Sequence, residues 1–200
     1  MEKRKRVYLI RHGQVDGFEN IPVYGHTDVR MTRIGFIQMR QMAERLRLIE
    51  IDAVYSSDLT RCKVGADIIA SCHNVPVTRL HELREMYFGD WEGLSLSEII
   101  HRFPEELSKR KADLLHYQIP GGGETVNDFS IRITRCFELV LAKKKENDIV
   151  IVAHGAVNRI IICNVLGLDF TAMFNFHQDY GCLNIIDYYS DSTLVRLING

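Results

Sequence analysis

Three separated segments of the chain carry the residue types that handle phosphate. Arg11-His12-Gly13 follows the apolar run Val7-Tyr8-Leu9-Ile10, so a guanidinium and an imidazole stand where a buried strand should end. His154-Gly155 follows Asp148-Ile149-Val150-Ile151-Val152-Ala153 in the same way. Arg61 comes shortly after Ala53-Val54-Tyr55 and Ser56-Ser57-Asp58. Ligands of open α/β sheets bind at the carboxyl ends of the strands. If these strands share one parallel sheet, Arg11, His12, Arg61 and His154 converge on its edge. Two arginines can clamp a phosphoryl group through bidentate, charge-assisted hydrogen bonds. One imidazole can attack phosphorus while the other, kept cationic by the phosphate, stabilises charge on its oxygens. Helix N-termini expected after Ser57 and after Gly155 would aim amides at the same anion.

The elements that must position these groups alternate strand with helix, which predicts an α/β fold: a three-layer α/β/α sandwich on a mostly parallel central sheet. Residues 14–32, with Gly17, Pro22 and Gly25, read as a loop. A helix is expected from Arg33, burying Gly35, Met39, Met42, Ala43, Leu46 and Ile49. Ser56-Ser57-Asp58 has the composition of a cap and first turn for a helix burying Leu59, Cys62, Ala66 and Ile69. Pro76-Val77-Thr78 is a further strand, and Thr125 with Asp128 is a capping pair for a long helix striped by Val126, Phe129, Ile133, Phe137 and Val140. Lys143, Lys144 and Lys145 suit the negative end of that helix or a solvated last turn. Ala156 to Leu166 is another helix, and Cys182 to Tyr188 and Leu194 to Ile198 are closing strands. The charged stretch 94–118, broken by Pro104, belongs to an insertion at about 86–123 that ends in Gly121-Gly122-Gly123 and covers the site like a lid.

Composition limits the function. The 200 residues fit one domain, 1–200, and 46% apolar with 26% charged residues is ordinary globular usage. A formal net charge of -1 argues against nucleic acid as a partner, and Lys3-Arg4-Lys5-Arg6 reads as a solvated lead-in to the first strand. No apolar run approaches the roughly 20 residues of a membrane span, no signal peptide is evident, and a cytoplasmic location is expected. The five cysteines show no C-x-x-C spacing; Cys62, Cys136 and Cys163 fall among apolar residues of expected helices, and buried free thiols are the plain reading. The eight histidines form no metal-ligand spacing, so neither a metal nor another cofactor is expected.

These segments, in order, resemble the motifs of the histidine phosphatase superfamily, the phosphoglycerate-mutase-like proteins. The family's RHG stands here as Arg11-His12-Gly13, its G-[HW]-x-D as Gly25-His26-Thr27-Asp28, and its SSDL..R as Ser56-Ser57-Asp58-Leu59-Thr60-Arg61. Its L.E..FG.WEG stands as Leu83 to Gly93, its GGE as Gly122-Gly123-Glu124 and its V.HG as Val152-Ala153-His154-Gly155. The resemblance implies that His12 is the nucleophile and is transiently phosphorylated. It further implies that Arg11, Arg61 and His154, with Gly155, Ala156, Tyr24 and Gly25, line the phosphate site, and that Glu85 is the general acid–base group, with Glu92 as its nearby rival. Three positions depart from the family: Phe18 stands where many relatives have asparagine (Asn20 lies two residues on), Met31 replaces leucine, and Gly65 replaces a threonine, which is expected to weaken helix packing.

The activity expected is metal-independent hydrolysis of a phosphate monoester through a phosphohistidine on His12. A mutase needs extra cations around a bisphosphorylated intermediate, and Met86-Tyr87-Phe88 stands where mutases place a basic stretch. Phosphatase is therefore the favoured reading, with phosphoglycerate mutase and phosphoprotein phosphatase as alternatives. Tyr24, Tyr87, Phe88, Trp91, His116 and Tyr117 suit an aromatic-rich pocket for a larger small-molecule monoester. Gly25-His26-Thr27-Asp28 and the overall size resemble the α-ribazole phosphatases of bacterial cobalamin synthesis. Whether the chain forms a homodimer is left open by the sequence.

Overall fold

The computed structural model describes residues 3–20, 22–143, 145 and 147–200. Ile21 of the expected 14–32 loop, and Lys144 and Glu146 beside the basic helix end, lie outside the described residues. Six strands form one sheet in the order β3-β2-β4-β1-β5-β6. The strands are β1 (Lys3–Arg11), β2 (Ala53–Ser57), β3 (Val77–Leu80), β4 (Asp148–Ala153), β5 (Leu183–Tyr189) and β6 (Thr193–Leu197). The first four in spatial order run parallel; β5 runs antiparallel to β1, and β6 antiparallel to β5. The continuous apolar runs of β1 and β4 have a simple cause: both faces of the sheet are covered. Val7, Leu9, Ile149 and Ile151 point to one face, where α5 (Val126–Leu141) and α6 (Gly155–Leu166) pack. Tyr8, Ile10, Val150 and Val152 alternate onto the other, against α1 (Arg33–Leu46) and α2 (Thr60–Ala70). Two short helices, α3 (Leu96–Arg102) and α4 (Pro104–Ala112), fill the expected insertion, with Pro104 at the first turn of α4.

Register sets the site. Arg11 pairs with Ala153 across β1 and β4, so the next residues, His12 and His154, leave the sheet at one level. The His12 amide adds a final hydrogen bond to the Ala153 carbonyl at 3.0 Å. From that edge α1 follows β1 on one face and α6 follows β4 on the other, the crevice where α/β ligands bind.

Three local expectations are corrected. Lys3 to Arg6 belongs to β1, and two of its residues are not a solvated lead-in: Lys5 is buried with its Nζ donating to the Lys143 carbonyl at 2.9 Å, and the Arg6 guanidinium bonds both carboxylate oxygens of buried Asp187. Lys143 thus serves through its backbone, two residues beyond the end of α5. Ser56 and Ser57 lie in β2, not in a helical cap; the side chain of Asp28 accepts from the Thr60 amide at 2.8 Å and hydroxyl at 2.7 Å at the start of α2. Gly65 does not leave a gap. A Cβ there would sit 3.0 Å from Met39 Cε and 3.3 Å from its Cγ, so the α1 side chain already occupies the space.

Candidate active site

His12 is held by its neighbours before any ligand is considered. Its Nδ1 lies 2.8 Å from the Gly13 carbonyl, which can only accept, so Nδ1 carries the proton and Nε2 keeps its lone pair. Gly13 is required by the approach of α1: a Cβ would stand 2.3 Å from the Gly35 carbonyl oxygen. The ring centroids of His12 and His154 are 5.2 Å apart at an interplanar angle of 67°. Both imidazoles are buried. Burial, then the Arg61 and Arg11 charges, push the His12 pKa well below its ordinary value; burial, Arg61, His12 and Arg11 do the same to His154. Both rings are therefore neutral near pH 7.

Arg61 is buried and almost fully committed. Nη1 donates to the Thr27 carbonyl at 2.8 Å, Nη2 to the Gly25 carbonyl at 2.7 Å, and Nε to His154 Nδ1 at 3.3 Å. Because arginine only donates, His154 bears its proton on Nε2, which faces Cys62 Sγ at 3.4 Å. Arg11 lies 4.0 Å over the Tyr180 ring and donates from Nη1 to the Gln178 carbonyl, while its Nε is buried with no partner among the described residues. Gln178 is fixed in turn by buried Asn184, their amides bonding at 2.7 and 2.8 Å.

The carboxylates divide their work. Glu85 is buried, its Oε1 accepting from the Met86 amide at 2.9 Å and its Oε2 from the Ala156 amide at 3.0 Å. Glu92 accepts from the amides of His26, Thr27 and Phe88 and from the Thr27 hydroxyl, which clamps the 25–28 loop to the 86–93 segment and leaves it saturated. Glu124 accepts from Arg132 at 2.8 and 2.7 Å, and Arg132 also donates to the carbonyls of Glu82, Arg84 and Glu85. Asp58 accepts both bonds of Arg84, which holds its carboxyl below the usual carboxylate range.

Two cavities adjoin at the strand edge. A cleft of about 180 Å³ is lined by Arg11, His12, Tyr24, Arg61, Glu85 and Tyr180, among others. A larger one of about 420 Å³ shares Arg11, Val23, Glu85 and Phe88 and continues past Gly155 and Ala156. Arg11, His12, Arg61, Glu85 and Tyr24 thus meet around the cleft, with His154 directly behind His12 and Arg61. Gly25 instead packs against the chain, a Cβ there falling 2.1 Å from the Met86 carbonyl, and contributes only its own carbonyl to Arg61. At the two helix N-termini expected to face the anion, Asp28 takes the Thr60 amide of α2 and Glu85 the Ala156 amide of α6. Asn20 does not line the cleft; it lines an adjoining recess with Glu19 and Ser97 that shares Pro22 and Tyr24 with it. Of the expected aromatics, Tyr24, Phe88 and Trp91 line the cavities, Tyr87 faces His26, Tyr117 stacks on Trp91, and exposed His116 pairs with Asp113. Sequence reasoning missed Tyr180, Gln178, Arg159 and Arg110. The turn at Gly181, with φ of 72°, was the one local signal near the first two.

The parallel sheet with two histidines at adjoining strand ends belongs to a known family: residues 7–200 match the histidine phosphatase superfamily (branch 1), and the chain is a member of it. It is a phosphatase-family hydrolase on a phosphoglycerate-mutase-like fold. Among its relatives, the adenosylcobalamin/α-ribazole phosphatase of Escherichia coli is 30% identical over 97% of this chain and 95% of its own length. The metal-independent phosphoserine phosphatase of Arabidopsis thaliana is 32% identical over 80% of this chain and 68% of its own. The crystal structure of the α-ribazole phosphatase from Shigella flexneri superposes with a TM-score of 0.89 at 30% identity, over 98% of this chain and 96% of that one. Among the described residues, no helix is long and apolar enough to cross a membrane.

Proposed function

We propose that the chain hydrolyses a small-molecule phosphate monoester by two displacements at phosphorus. His12 Nε2 attacks the phosphoryl group and forms an N–P bond as the ester P–O bond breaks. Arg11, Arg61 and His154 stabilise the charge on the phosphoryl oxygens. Glu85 gives its proton to the departing alkoxide, then takes one from the water that attacks the phosphohistidine, restoring His12 and releasing inorganic phosphate. The observation carrying this reading is the 5.2 Å approach of two neutral, oppositely protonated imidazoles between Arg11 and Arg61.

An α-ribazole 5′-phosphate-like ester suits the site better than phosphoserine. The larger cavity is mainly apolar and Glu85 is the one carboxylate among the residues lining either cavity, so an ammonium group would meet arginines rather than a counter-charge. Arg110 and Arg159 are extra cations of the kind a mutase needs, which keeps that alternative worth a direct assay. A panel of α-ribazole phosphate, phosphoserine, sugar phosphates and phosphoglycerates, ranked by kcat/KM with and without EDTA, tests both points. Phosphate release that is abolished in His12→Ala and unaffected by EDTA is the expected result. Conversion of 3-phosphoglycerate to 2-phosphoglycerate with a bisphosphate primer and no net phosphate release would replace hydrolysis by transfer.

A further inference from the structure

The larger cavity has walls from both the sheet edge and the insertion: Met86, Phe88, Trp91, Leu96, Leu107 and Met173 make it apolar. Three guanidiniums interrupt that lining: Arg11, which the cleft shares, and Arg159 and Arg110, which differ. Arg159, from α6, is tethered through Nε to the Phe176 carbonyl at 3.3 Å. Arg110, from α4, has its Nη1 buried with no hydrogen-bond partner among the described residues, and its guanidinium lies 5.8 Å over the Trp91 ring. Its place among apolar side chains lowers its pKa through burial. A buried charged donor without a partner costs at least about 1–3 kcal/mol, so its presence in a ligand-sized cavity calls for an acceptor that arrives with the ligand.

We propose that Arg110 determines specificity in the leaving-group site, donating to an acceptor atom on a planar, largely apolar alcohol whose phosphate lies at His12. This rests on the phosphatase reading above. A planar alcohol is the shape that can lie beside the Phe88 and Trp91 rings of the lining, and the acceptor answers a guanidinium that lines the cavity and whose buried Nη1 has no partner among the described residues. A site built around a buried donor rejects the analogue that lacks the acceptor, because the donor is then left unpaired.

Isosteric aryl esters test it. 1-Naphthyl phosphate is compared with quinolin-5-yl, isoquinolin-5-yl and isoquinolin-8-yl phosphates, which move one ring nitrogen around the same outline. The readout is the preference for each nitrogen-bearing ester in the wild type divided by that in Arg110→Met, so that leaving-group acidity cancels. At least one isomer should lose roughly 10-fold or more of its preference, the scale of a hydrogen bond to a charged group, and Arg110→Lys should keep part of it. A ratio near one for every isomer overturns the proposal, including the case where Arg110→Met lowers all four rates together because α4 has merely loosened from Trp91. If His12→Ala cleaves the esters at the wild-type rate, the catalytic reading fails instead, and the proposal with it.

Discussion

At the scale of single residues, the site depends on which nitrogen of each ring holds a proton. The Gly13 carbonyl fixes Nδ1–H on His12, and Arg61 Nε fixes Nε2–H on His154. Long-range proton–nitrogen NMR spectra should therefore show opposite tautomers for the two rings. Neither ring should become imidazolium at pH 6, because burial and two guanidiniums hold both below their ordinary 6.5. A doubly protonated ring at that pH would remove the neutral nucleophile from the mechanism. The two acidic rivals separate as cleanly. Glu85 borders both cavities, whereas Glu92 spends its oxygens on four donors. Glu85→Gln should lower kcat by about 10²-fold or more with little change in melting temperature. Glu92→Gln should instead lower the melting temperature, losing charge-assisted bonds of about 1.5–3 kcal/mol each at most, while kcat falls less. The reverse pattern would exchange their roles.

At the scale of elements, the proposed acid–base group Glu85 sits on an irregular segment, while the proposed phosphate ligands Arg11 and Arg61 belong to β1 and α2 and His154 directly precedes α6. Glu85 sits on a strap rather than a strand, and Arg132 of α5 holds that strap by three carbonyls while Glu124 holds Arg132. Arg132→Met should cut kcat by about 10- to 100-fold without touching a reacting atom, since a displacement near 1 Å costs on that order. Arg132→Lys should recover little, because one ammonium cannot reproduce the forked contacts. An unchanged kcat would show that the strap holds itself. The same contrast explains what the sequence could disclose. Strand ends at His12 and His154 were legible because an apolar run followed by His-Gly is a local pattern that tertiary packing only completes. The start of α2 was misplaced because Ser56-Ser57-Asp58 mimics a cap, whereas the carboxylate that does the capping, Asp28, comes from a distant loop. Arg110 stood in a charged run with the look of a solvated face, and only the fold of α3 and α4 turns it onto a cavity.

At the scale of the whole molecule, the ends of the chain close the sheet on themselves. Buried Asp187 on β5 joins Arg6 on β1 to Arg196 on β6, and its carboxyl is held at about 2. That pairing was illegible because its partners lie at opposite ends of the sequence, and a run of four basic residues reads as solvated without it. Asp187 loses its contribution, about 2 kcal/mol, only as pH falls from near 4 toward 2. The buried histidines act earlier. In the unfolded chain both bind protons below about pH 6.5, whereas in the folded protein His12 and His154 stay neutral. The unfolded state then holds more protons, so stability falls as pH falls, by up to about 1.4 kcal/mol per unit for each ring. Two rings acting together set an upper limit of about 3 kcal/mol per unit, steep against a total of about 5–15 kcal/mol. Denaturant unfolding measured from pH 7 to pH 5 should show a slope that steepens toward this limit as pH falls through about 6.5, and His12→Gln should halve it while abolishing turnover. Relative to its own stability at pH 7, that inactive variant should then retain up to about 2 kcal/mol more than the wild type at pH 5. Parallel stability curves for the two proteins would mean that the nucleophile takes up protons freely in the folded state, and a neutral imidazole waiting for phosphorus would have to be abandoned.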